Sequence, residues 1–254
     1  MSGTGSLFSL QGYIRSADVL ADGKIGKLRW LGNVPEATLE LSTNSTDKTD
    51  SFSGKRLQLG RLDTGTTAAL NLTLDYWSSA NLALGFQATV ADIAAATVTG
   101  EVFPTGLVAG DQVRLDHPFA SALVLTDSAT TPATVPPANY GLVGHSQSVV
   151  ELKDIGTFQQ PFKAAYSYEG VENTVLFSAP GKVQFLQFDG INTETGESVV
   201  IELWRARFAP VQSLGLINQE YGNLALSAAI LFDPARANDP ALGGFGRLLQ
   251  KKAA

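Results

Sequence analysis

The sequence predicts a mainly β chain of sandwich or barrel type, with one short helix, a long extended hairpin loop and terminal arms. Three observations lead there. Apolar residues recur at period two in several segments, which is the period of a strand. Candidate strands are many, short and separated by turn-forming residues. Only one segment has the cap and spacing of a helix.

Taken in chain order, Leu7–Arg15 reads as a strand. Asp22-Gly23 then turns the chain toward a second at Lys27–Asn33. Ala37-Thr38-Leu39-Glu40-Leu41 alternates apolar with polar. The stretch 42–62 is very polar and too long for a structureless loop in a compact domain, so it reads as an extended hairpin reaching outward. From Thr66 to Trp77 the alternation is clearest. Ala68, Leu70, Leu72, Leu74 and Tyr76 share one parity, and Ala69, Asn71, Thr73 and Asp75 share the other. Such a strand has one face in a core and one polar face.

Ser79–Gly85 is the predicted helix. Ser78 suits the N-cap, and Trp77 and Leu82 occupy the positions of a hydrophobic staple. Leu82 and Phe86 lie four apart on one face, and Gly85 suits the end. A lone helix between strands plugs a sheet end or packs at an interface, which makes Trp77, Leu82 and Phe86 a candidate helix interface. Further strands are expected at Gln112–Asp116, Ala120–Leu125, Ser148–Leu152, Phe162–Tyr168, Thr174–Ser178, Val183–Asp189 and Ser198–Phe208. Asn192–Gly196 makes a hairpin of the last pair, and Leu224 to Phe232 alternates once more. The expected organisation is one β domain over residues 1–232, with a surface loop at 127–138, then a flexible C-terminal arm over 233–254 that orders only against a neighbour.

Composition narrows the function. Charged residues are 17% of the 254, below the roughly one quarter of an average domain, which suits a surface covered by other subunits. With 18 basic and 24 acidic residues, the chain is unsuited to gripping nucleic acid through its phosphates. It has no cysteine, so disulfides, thiolate zinc sites, iron–sulfur clusters and cysteine nucleophiles are excluded. Met1–Gly5 carries no basic residue of the kind that opens a signal peptide. No apolar run reaches the roughly 18 residues of a membrane helix, so no membrane insertion is expected.

The sequence carries no motif that marks a reaction. The two histidines, His117 and His145, fall at a strand end and a turn, where ordinary surface residues are the default. Gly144-His145-Ser146-Gln147 fails the nucleophile-elbow pattern, and no two glutamates stand out as a glycosidase pair. No phosphate-binding loop is present. No catalytic, metal or cofactor residue is therefore assigned, and a non-enzyme is expected. Asp47, Lys48, Asp50, Lys55, Arg56 and Arg61 make the long loop a mixed-charge segment, read equally as a solvated tip or as a docking surface for a like neighbour. Trp30, Trp77 and Trp204 read as core or subunit contacts, with a sugar platform as the rival.

The run Lys27-Leu28-Arg29-Trp30-Leu31-Gly32-Asn33-Val34-Pro35-Glu36-Ala37-Thr38-Leu39-Glu40-Leu41 resembles the start of a major tail tube protein of long-tailed bacteriophages. The polar loop, Leu70–Trp77 with Ser78–Leu84, the block Val150–Gly156 and the closing strands to Phe232 continue the likeness. The resemblance implies hexameric rings that stack into a hollow tube lined by a continuous inner β-barrel. It implies that the long hairpin contacts the next ring and that terminal arms tie rings together. It implies a tape-measure protein in the lumen, tail terminator and distal tail proteins at the tube ends, and DNA passing without specific binding. It implies a virion protein assembled in the bacterial cytoplasm. On that reading Thr38, Glu40, Asn71, Thr73 and Asp75 face the lumen, and the six charged loop residues make ring-to-ring contacts. An acidic wall would repel DNA phosphate. The alternatives are the tube protein of a contractile secretion system and a carbohydrate-binding β-sandwich.

Overall fold

Alternating sequence becomes alternating burial. A computed structural model describes residues 7–251; residues 1–6 and 252–254, the outer ends of the expected domain and arm, lie outside it. The chain carries β1 (Leu10–Asp18), β2 (Arg29–Trp30), β3 (Glu36–Thr49), β4 (Gln58–Leu74) and α1 (Ser79–Phe86). Next come β5 (Thr89–Ile93), β6 (Ala96–Val102), β7 (Gln112–Arg114), β8 (Ala120–Thr126), a 3-10 turn at Pro137–Asn139, β9 (Tyr140–Val143), β10 (Val149–Leu152), β11 (Lys163–Tyr168) and β12 (Val171–Val175). β13 (Val183–Asn192), β14 (Ser198–Phe208), β15 (Leu224–Ile230) and β16 (Gly246–Gln250) close it. The protein is mainly β and of sandwich type, with one α-helix among the described residues and no closed barrel.

Two compact units replace the single domain expected over 1–232. Unit 1 joins Met1–Val90 to Thr174–Ala254, and unit 2 is Ala91–Asn173. The predicted surface loop 127–138 is thus one piece of a unit with its own core. The strands of that region are short, from β7 at 3 residues to β6 and β8 at 7, and although four of them were expected, no linker composition sets them apart as a unit.

In unit 1 one sheet runs β2-β1-β13-β14-β15-β4-β3, all neighbours antiparallel. β14 shares one edge between two strands: Val199–Leu203 pair with β16, and Ala206–Phe208 pair with β15. The sheet folds over there, and its two arms meet face to face. Ile14, Leu186 and Leu203 from one arm share a buried cluster with Leu70, Leu72, Leu74, Leu224, Leu226, Ala228 and Ile230 from the other. Each buried leucine there contributes roughly 1.5–3 kcal/mol relative to exposure. Along β1 and β3 the arms part, leaving a cleft of about 1080 Å³ whose lining includes Tyr13, Leu39, Phe188 and Ile191.

The segment after β15 is pinned, contrary to the flexible arm expected over 233–254. Trp204, 4% exposed, donates from its indole Nε1 to the carbonyls of Leu242 and Gly243 at 3.2 and 3.0 Å. Arg236 and Arg247 lie over the same ring, and Arg247 pairs with Glu202 at 2.7 Å. These partners are distant in sequence, so local patterning gave no sign of them.

Unit 2 has two three-stranded antiparallel sheets, β7-β10-β9 and β6-β11-β8. Its core includes Phe103, Leu115, Leu125, Val150, Phe162 and Tyr166. Asp127 shapes the loop after β8: its carboxylate accepts the backbone N–H of Ala133 at 2.7 Å and those of Gln159 and Ala129. Those bonds, the one from Ala133 above all, hold its pKa below the usual carboxylate value.

Candidate functional site

The first candidate surface is the outer face of β15, β4 and β3. Register places Thr38 opposite Asn71, Glu36 opposite Thr73, and Ser227 opposite Asn71. Thr38, Glu40, Asn71 and Thr73, predicted to share a polar face, do share it. They turn away from the leucines of the same strands. Asn71 Nδ2 donates to Glu40 Oε1 at 3.1 Å. Ala225, Ser227 and Ala229 continue the face as small side chains. Where the three strands pair, Glu36 and Glu40 are its only charges. Asp75 belongs elsewhere: it lies past the end of β4, and its carboxylate accepts Asn33 Nδ2 at 2.6 Å.

The second surface is the far end of the β3–β4 hairpin. β4 alternates buried and partly exposed residues only from Ala68 onward, where β15 begins to pair with it. Before Ala68 the two strands pair only with each other and both faces are exposed. Irregularities at Asn44/Ser45 and Lys48/Thr49 twist this ribbon. Of the six loop charges, three are spent on shaping it. Arg61 Nε reaches Asp47 Oδ1 at 2.9 Å, and Asp47 also accepts Gln58 Nε2. Asp50 is 7% exposed and accepts the Ser53 hydroxyl at 2.8 Å, which corrects its assignment as a contact residue. Lys48, Lys55 and Arg56 remain exposed, and no ion pair engages them among the described residues.

The third surface surrounds α1. Ser78 caps the helix by accepting Asn81 N at 3.2 Å, as expected. The end comes at Gln87 in the left-handed region rather than at Gly85. Leu82 is buried in the unit 1 core, so it is a core residue rather than an interface one; Phe86 is partly buried and packs against that core. Trp77, 73% exposed, stays outside with Tyr76 and Trp30. Trp30 sits edge-on between Tyr13 and Tyr76, with centroids 5.8 and 5.7 Å away. Trp30, Tyr76 and Trp77, together with Asp75, Ser78 and Asn81, line an open recess of about 400 Å³. Gly32 is required there. Its φ is +95°, and a Cβ would lie 2.6 Å from the Tyr76 ring.

Asn81 is a residue the sequence reading missed. It is buried, accepts Arg29 Nη1 at 2.6 Å, and donates to the carbonyls of Leu31 and Tyr76. Burial lowers the Arg29 pKa from its usual value, and Asp18 opposes the shift. Of the three tryptophans weighed as a sugar platform, Trp204 is buried and drops out.

Charge is unevenly shared. Of the 24 acidic and 18 basic residues, nine acidic and three basic fall in Ala91–Asn173, leaving fifteen of each for unit 1. The net negative charge of the chain therefore lies in unit 2, and the acidity of the β3–β4 face is local. Within unit 2, His117 stacks flat on Tyr168 at 4.0 Å. Among the described residues, no three His, Asp or Glu side chains gather as a metal-holding group. No helix there is long and apolar enough to cross a membrane.

Residues 7–249 match the family described as Protein of unknown function UCP028589. The chain belongs to that family. No match was found among curated proteins.

Proposed function

We propose that this chain is a structural subunit that closes with its own copies into rings, and that the rings stack into a hollow tube of the phage-tail kind through which DNA passes. The observation that carries the reading is the β15-β4-β3 face: polar, acidic in its only charges, and backed by an apolar core. A channel wall needs core behind and water in front, and acidic groups do not hold passing phosphate. Two further features support it. The unit 1 sheet is unclosed, with β2 and β3 at its ends, and free edges are a liability unless a neighbour covers them. The hairpin projects a ribbon that two strands alone stabilise only marginally.

The test is charge reversal on that face. Glu36→Lys with Glu40→Lys should leave assembly intact but make assembled particles retain short double-stranded DNA at low salt and release it as salt rises. The same reversal at Glu194 and Glu197, in the turn between β13 and β14, serves as the control. Equal retention by both pairs would contradict a channel role for the face.

A second reading, a carbohydrate-binding module, rests on the exposed recess of Trp30, Tyr76 and Trp77 beside Asp75. Specific binding on a glycan array without any self-assembly would favour it.

A further inference from the structure

The aromatic recess and the hairpin tip are the two ends of one ribbon. Asn33 and Asp75, hydrogen-bonded to each other, flank the base where β3 begins and β4 ends. The tip lies between Thr49 and Gln58, closed by Asp50 N donating to Leu57 O at 2.8 Å. The 14 residues of β3 at about 3.3 Å each separate the ends by about 45 Å.

The two ends are complementary in chemistry. At the tip, Lys48, Lys55 and Arg56 are exposed and make no ion pair among the described residues; Asp47 is paired with Arg61, and Asp50, turned inward onto the Ser53 hydroxyl, leaves the tip net positive. At the base, Trp30, Tyr76 and Trp77 are 46%, 51% and 73% exposed, a large aromatic surface to leave in water. The electron-rich faces of such rings, with a carboxylate beside them, suit a cation. Beside the recess, the Tyr13 ring that packs edge-on to Trp30 already takes one guanidinium within the chain: Arg15 lies over it at 5.3 Å.

We propose that the recess at the base of one copy receives the cationic hairpin tip of a second copy. The proposal rests on the tube reading and adds to it the receptor for the hairpin. A contact between two different patches is heterologous, so it repeats head to tail and generates a linear array. Here each step advances along the ribbon. Lys55 and Arg56 supply the charge, Asp75 the counter-charge and the aromatic rings the walls. Gly32 and Asn81 hold those walls in place.

The test is a charge swap in the full-length chain, read by sedimentation velocity and by electron microscopy of stack length. Asp75→Lys alone, and Lys55→Glu with Arg56→Glu, should each weaken head-to-tail association roughly tenfold or more, and combining them should restore it. Trp77→Ala should weaken it as well, with an unchanged thermal midpoint showing that the fold is intact. Rings that stack normally in every variant, or no recovery in the combined variant, would overturn the recess–tip contact and leave the tube reading standing. Absence of rings and stacks in every variant, the parent included, would overturn both. Sugar binding at the recess by copies that stay apart would overturn both and favour the carbohydrate reading.

Discussion

Tyr166 shows how much one buried hydroxyl decides. Its ring lies in the unit 2 core; its hydroxyl donates to Glu101 Oε2 at 2.5 Å and accepts the backbone N–H of His117 at 3.3 Å. Burial first, and then the Glu101 carboxylate, push the phenol pKa up to about 12. A folded value above the unfolded one means this contribution to stability is complete below about pH 10 and is lost as pH rises through about 12. Denaturant titrations of parent and Tyr166→Phe from pH 9 to 12 check this. At neutral pH the variant should be less stable by about 1–3 kcal/mol, because Glu101 and His117 N lose a partner. The gap should narrow as pH rises; a constant gap would contradict the account. Nothing in the sequence around Tyr166 marks it, since Lys163–Tyr168 reads as any short strand.

Elements were legible where alternation was strong and silent where partners are remote. Leu70, Leu72 and Leu74 against Asn71 and Thr73 declared both the strand and its polar face, and Ser78 declared the helix start. β6, β9 and β16 carry no such signal: β6 is Ala, Thr, Val and Gly with little burial, and β16 is fixed by pairing with β14. Asn81 was illegible for the same reason. An Asn in a short helix usually signals nothing, but this one joins α1 to Arg29 of β2 and to Leu31 and Tyr76 beyond the strands. Asn81→Ala should cost about 1–3 kcal/mol by leaving those groups unpaired. It should also shift Trp30 and Trp77 fluorescence by loosening the recess. An unchanged unfolding midpoint would show that α1 is held by Leu82 and Phe86 alone.

At the scale of the whole molecule, composition gave the sign of the charge and the structure gave its place. The acidic excess belongs to the inserted unit 2, while the balanced unit 1 carries the polar face, the open edges and the hairpin. A unit with little net charge associates with its like more readily than a highly charged one. The division into two units was not legible, because the strands on either side of Ala91 and Asn173 carry no linker composition.

The most direct measurement is electron microscopy of the purified chain over a range of concentration and ionic strength. Closed rings of uniform diameter with an open centre are expected, and hollow stacks of them as concentration rises. Dispersed single copies under every condition would contradict the tube reading.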